Sequence, residues 1–286
     1  MKAISVVMLT FLCAYLTIAQ KTVSKTVQTQ SGQEVNFDFD HANVNFTTWN
    51  KNKISITGTV KINNGENDDA FTIKVKQIDG EWNINTFLEN ECKIPKMIQM
   101  SKDGVTTYKK MEGNNNSWNW NGWDNLNDEG YDNMSIGIIT EINLEVKVPQ
   151  NIKINITSHR GNVDIENFEG ELYIKNTHGY VNAIFSKPIH KNVELKSCHN
   201  FVDVSIPANS QLDMVLKSSH GEILTDLDLD IQQGNGGQNK RKKNSCQSSC
   251  SSSKNSIVAN LNGGGSKLKL KSSHNNIYLR EYKMNN

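Results

Sequence analysis

Five of the seven histidines of this 286-residue chain, His159, His178, His199, His220 and His274, are spaced 19, 21, 21 and 54 residues apart. Each follows a Ser or Thr, a Cys in the case of His199, and precedes Gly, Asn or Arg-Gly. Neutral imidazole is the commonest protein metal ligand and carries protons near neutral pH. If the period stacks, His159, His178, His199 and His220 form a column able to share a divalent metal. Asp164, Asp203 and Glu222, in the segments that follow, are then candidates to orient the rings. The same position also suits a sharp turn, because His is among the residues that tolerate positive φ. Both readings stand at this point, and His41 in Asp-His-Ala-Asn-Val offers a sixth equivalent place.

Trp118, Trp120 and Trp123 stand in a hydrophilic run of Asn, Ser and Gly that no core pattern explains. Rings in such a setting stack on sugars or anchor an interface, or they fold back to cap an apolar end. The oxygen-rich stretch Asp124 to Asp132 fails the calcium-loop register, with Ile136 where the bidentate Glu belongs. Cys246 and Cys250, separated by three residues in Ser-rich sequence, are the cheapest disulfide, though with Cys92 and Cys198 three pairings are open. No nucleophile elbow, phosphate loop or His-Glu-x-x-His is present, so no catalytic residue is named. Lys+Arg 31 against Asp+Glu 30 leaves a net charge of +1, which excludes binding of nucleic acid driven by net charge.

The elements that would carry these residues are short strands. Ile152, Ile154 and Ile156 alternate with polar residues, as do Val163 and Ile165, and Val202, Val204 and Ile206. Period two puts the apolar members on one face. A repeat near 20 residues, with turns marked by Gly170, Pro188 and Pro207, predicts an all-β, single-stranded solenoid of ~20-residue coils. Two segments break the pattern and read as inserted loops: 101–135, rich in Asn, Gly and Trp, and 232–256, with Lys240 to Lys243 and many Ser. Residues 20–140 form a degenerate half of the repeat, and residues 141–286 the regular half.

Residues 1–19 read as a secretory signal: Lys2, an apolar run, and Ala19 at the cleavage position. No later run is long and apolar enough to span a bilayer. The destination is the periplasm, the cell surface or the medium.

Leu144-Glu-Val-Lys-Val-Pro149, the iterated Ser/Thr-x-His-Gly turns, and the run from Gly263 to Ser273 resemble the bacterial putative-adhesin family of β-strand-repeat proteins, over most of residues 35–282. The resemblance implies a right-handed β-helix-like fold in or outside the bacterial envelope, and it brings no catalytic residues. That family commonly has Asn where this chain has His. The expectation is an exported non-enzymatic adhesin or envelope scaffold, holding a surface, glycan or protein partner through a repetitive polar face and the Trp loop. A periplasmic metal-binding or envelope-stress scaffold using the His column is the alternative, and a β-helix carbohydrate-active enzyme a lesser one. No cofactor is expected beyond that divalent metal.

Overall fold

A computed structural model of the chain describes residues 20–111, 130–232 and 255–283. Residues 1–19, read as a secretory signal from the sequence, and Trp118, Trp120, Trp123, Cys246 and Cys250 lie outside the described residues.

Alternation dictates the local structure. Lys153–Ser158, Val193–Ser197 and Ser266–Ser272 each bury every second side chain and show the others to solvent. Val, Ile and Leu fill the inward places, where branched side chains suit a pleated surface. The described residues form 22 strands in sheets of nine, ten and three. Helix is confined there to single 3-10 turns at Asn63–Gly65, Asp68–Ala70 and Glu91–Lys93.

Six times the chain runs along one long sheet, turns sharply and enters the other. These pairs of strands are numbered here as rungs 1 to 6 in their spatial order. They are Glu34–Phe39 with Asn43–Trp49, Lys153–Ser158 with Val163–Glu166, and Leu172–Asn176 with Val181–Ile184. Then come Val193–Ser197 with Val202–Ile206, Ser266–Ser272 with Ile277–Glu281, and Leu212–Ser218 with Ile223–Thr225. Neighbouring rungs pair in parallel in both sheets. Space and sequence diverge at one point: the last repeat, rung 5, lies between the third and fourth regular copies.

A uniform coil from end to end is not what the pairing makes. Beyond rung 1, Lys53–Ile62 and Lys21–Gln28 add antiparallel strands to one sheet, and Phe71–Ile78 does so to the other. Beyond rung 6, Asn255–Leu261 also runs antiparallel. Met97–Lys102, Val105–Lys110 and Asn133–Gly137 make a separate antiparallel sheet from part of the expected first insertion. The chain is all-β with mixed sheets.

Inward side chains of both long sheets merge into one core. Val35, Ile154, Leu172, Val193, Leu268 and Met214 form one apolar row, none more than 3% exposed. Burial of such a side chain stabilises by about 1.5–3 kcal/mol. At rung 1 the row thickens into Phe37, Phe39 and Phe46, with ring centroids 5.1–5.9 Å apart.

The turns between sheets have their own ladder. In rungs 2 to 6 the last strand residue before the turn is inward and polar: Ser158, Asn176, Ser197, Ser272 and Ser218, none more than 1% exposed. From rung 3 onward each donates a hydrogen bond to a turn carbonyl of the preceding rung. Asn176 Nδ2 reaches Gly161 O at 2.8 Å, Ser197 Oγ reaches Gly179 O at 3.0 Å, and Ser272 Oγ reaches Asn200 O at 3.1 Å. Ser218 Oγ continues the series to Asn275 O at 3.0 Å. Each also accepts the N–H three residues on, at 2.9–3.1 Å. From rung 3 onward the buried polar groups are thus paired where the sheets give no partner. A Cβ on Gly179 would collide with the Gly161 carbonyl, which explains glycine there.

Candidate binding face

Register decides which side chains share a row. Ser158 pairs with Asn176, Asn176 with Ser197, and Ser197 with Ser272, which also pairs with Ser218. Two residues beyond these stand Arg160, His178, His199, His274 and His220. His41 takes the same place after Phe39 of rung 1, which pairs with Ser158. His159 is therefore one residue out of step with its expected equivalents, and Arg160 fills its slot.

His178, His199, His274 and His220 are exposed and stack ring on ring in that order. Their centroids are 4.8, 4.9 and 5.2 Å apart and their planes lie within 17° of parallel. His220 Nδ1 meets Ser273 O and His274 Nδ1 meets Cys198 O, both at 2.9 Å. Ring lone pairs lie in the ring plane, so parallel rings aim theirs side by side and not at a common ion. His159 stands apart from this stack and meets Asp38 at 3.2 Å. The four histidines expected to share a metal are not brought together as a ligand set. Two of the three acids expected to orient them are engaged elsewhere: Asp164 accepts from Tyr180 Oη and Asn182, and Asp203 pairs with Arg280 at 2.9 Å. Nor does positive φ explain the position, since His41, at φ 62°, is the histidine among the described residues that has it.

Asp40, His41 and Glu91 are the described group of His, Cys, Asp and Glu whose ligand atoms come within 4.8 Å of one another. Arg160 already occupies it, at 2.7 Å from Asp40 and 3.2 Å from Glu91. Burial pushes the Asp40 carboxyl up, but the Arg160 hydrogen bond, with the charges of His41 and Arg160, outweighs it and holds the group below the usual carboxylate range. A guanidinium in that seat makes this an ion-pair clasp on the turn of rung 1. Among the described residues Cys92 and Cys198 form no disulfide.

Sequence reasoning missed the lysines. On the outward face of the ten-stranded sheet, Lys175, Lys196, Lys271 and Lys217 fall in register on rungs 3 to 6. The signal was present, because Lys stands three residues before His178, His199, His220 and His274 alike. Glu194, two residues before Lys196, meets it at 2.6 Å and Lys269 at 3.7 Å. The bond to Glu194 holds the Lys196 ammonium above the ordinary lysine range, against the opposing effect of burial. Lys196 also lies 5.0 Å from the centre of the Tyr173 ring. Beside the row opens a cleft of about 320 Å³, lined by Lys153, Asn155, Tyr173, Asn192, Glu194 and Lys269 among others.

No family model matches the chain, and no curated protein matches it. Among solved structures it is similar to a protein described as a putative cell adhesion protein from Clostridium sporogenes, at 9% identity and a TM-score of 0.54, over 92% of this chain and 100% of that one. A putative adhesin from Bacteroides fragilis aligns at 8% identity with a TM-score of 0.28, over 93% of this chain and 99% of that one. The first likeness shows the fold alone.

Proposed function

We propose that the chain is an exported, non-enzymatic binding protein of the adhesin kind, whose stacked rungs form a right-handed solenoid-like face for a surface, glycan or protein partner. The observation that carries this is repetition at side-chain level: four consecutive rungs present the same lysine and the same histidine in register. Rows of like groups at strand spacing suit a partner that is itself extended and repetitive, and many weak contacts then add. General acid–base chemistry instead needs two unlike groups set against one bond. The likeness to the putative cell adhesion protein of Clostridium sporogenes supports this reading. Trp118, Trp120 and Trp123 would add aromatic anchors if they face the same partner.

The test is twofold. Protease shaving of intact cells should remove the mature chain, and the purified chain should attach to cells or to an immobilised glycan panel. A chain that stays protected until the envelope is opened, and attaches to nothing, sinks the reading.

A further inference from the structure

We propose that the ligand of this face is a linear polysaccharide with one carboxylate per sugar, a polyuronate, lying along the stack across rungs 3 to 6. The inference rests on the binding reading above and names its ligand class. Its basis is the unbroken row Lys175, Lys196, Lys271 and Lys217. Like charges set opposite one another across strands repel, and elsewhere in the stack the chain answers this with acids. Lys153 pairs with Glu34 at 2.7 Å between rungs 2 and 1, and Arg280 with Asp203 at 2.9 Å between rungs 5 and 4. In the lysine row only Lys196 has such a partner, Glu194. Among the described residues no acid forms an ion pair with Lys175, Lys271 or Lys217, and all three are exposed.

A uniform row of cations asks for a uniform row of anions. Paired strands are spaced by about 4.8 Å, close to the length of one sugar in an extended chain, so a polyuronate lying along the stack keeps pace with the rungs, and those of its carboxylates that face the sheet meet the row of ammonium groups. Lysine is a point charge that accepts such a group from several directions, without the fixed fork of arginine. The adjoining cleft offers the sugar rings the half-buried Tyr173 ring, with Asn155 and Asn192 beside it, while Glu171 and Glu194 in its lining keep the ligand's carboxylates on the lysine row. Nucleic acid fits less well. Duplex phosphates of one strand recur every ~3.4 Å of helix axis and wind around it, out of step with a straight row of rungs. Single strands need open aromatic platforms for their bases. The residues between the lysine and histidine rows are Asn176 and Thr177, Ser197 and Cys198, Ser272 and Ser273, and Ser218 and Ser219, and the histidine faces are turned to one another.

The experiment titrates the full mature chain with oligogalacturonate by calorimetry at low and high salt. The wild type is expected to bind, more weakly as salt rises. The triple variant Lys175→Gln, Lys271→Gln, Lys217→Gln is expected to lose about tenfold or more in affinity and to show a flatter salt dependence. Its melting temperature should be equal or higher, because repulsion within the row is relieved. Unchanged affinity in the folded triple variant overturns the proposal. So does equal binding of the fully methyl-esterified oligomer, which has the sugars without the charges, or tighter binding of single-stranded oligothymidylate. If the wild type attaches to cells or to neutral glycans but ignores oligogalacturonate, this inference fails while the broader binding reading stands. If it attaches to nothing, both fail.

Discussion

One buried position of the repeat offers a graded test of what holds the turns. Ser158, Asn176 and Ser197 are inward, paired in register, and at most 1% exposed, yet their side chains make zero, three and two hydrogen bonds. Asn176 donates from Nδ2 to Gly161 O at 2.8 Å and to Tyr180 O at 3.0 Å, and accepts from Gly179 N at 2.9 Å. Removing the amide in Asn176→Ala leaves these backbone groups without it in a dry turn, and at about 1 kcal/mol per bond plus some desolvation the loss should be about 3–4 kcal/mol. Ser197→Ala gives up the bond to Gly179 O and the one from Asn200 N, for about 2 kcal/mol. Ser158 Oγ is buried with no partner among the described residues. Ser158→Ala should therefore be neutral or stabilise by up to about 1 kcal/mol, because an unpaired buried hydroxyl costs free energy. The assay is urea unfolding followed by circular dichroism, with midpoints compared at constant slope. Since a domain is stable by only about 5–15 kcal/mol, the three variants should separate cleanly. Equal losses at Ser158 and Ser197 would refute the ladder, for then residue size and not hydrogen bonding would set the cost.

Gly179→Ala should destabilise by about 3 kcal/mol, because its new Cβ meets the Gly161 backbone. Gly80→Ala, at φ 87° with open space around it, should cost only about 1 kcal/mol of backbone strain, and thermal melts of the pair decide. Acid should weaken the fold through its depressed carboxylates. Glu34, held down by its bond to Lys153, and Asp40 and Glu194, held down by Arg160 and Lys196 against the upward pull of burial, titrate below their ordinary range. Their contribution is complete above the unfolded values and is lost as pH falls below about 4 toward the folded ones. Arg160→Gln should remove the Asp40 part of that loss in unfolding curves at pH 7 and pH 3. His199 stacks on two neighbours and His178 on one in the described row. A double-mutant cycle to Ala should return a coupling of about 0.5–1 kcal/mol, and zero coupling would show that the stack carries no energy.

The strands and their polarity were legible because alternation is local: whether a residue faces in or out depends on its immediate neighbours. The register of the first regular copy was not read correctly, and the reason lies in what was matched. Aligning His159 with His178 sets Ile154 against Tyr173, an inward residue against an outward one. The fold keeps parity instead, pairs Ile154 with Leu172, and so brings Arg160 into the histidine row. A slip of one residue would turn an entire apolar row to water, a cost that no shared side chain at the turn can offset. The order of the rungs was hidden for the opposite reason. Leu268 and Leu270 match the rows of rungs 4 and 6 equally well, so local pattern does not say that the last repeat enters between them. The lysine row was readable in full but was obscured by a sum. A net charge of +1 describes the far field, whereas a ligand lying on rungs 3 to 6 meets the charges within a Debye length, about 8–10 Å at ordinary salt. Over that distance Lys175, Lys271 and Lys217, aligned and unpaired among the described residues, weigh more than the balanced total. Parity and row are the quantities that a repeating β chain encodes. Residue identity at a single turn position and total charge are the ones that mislead.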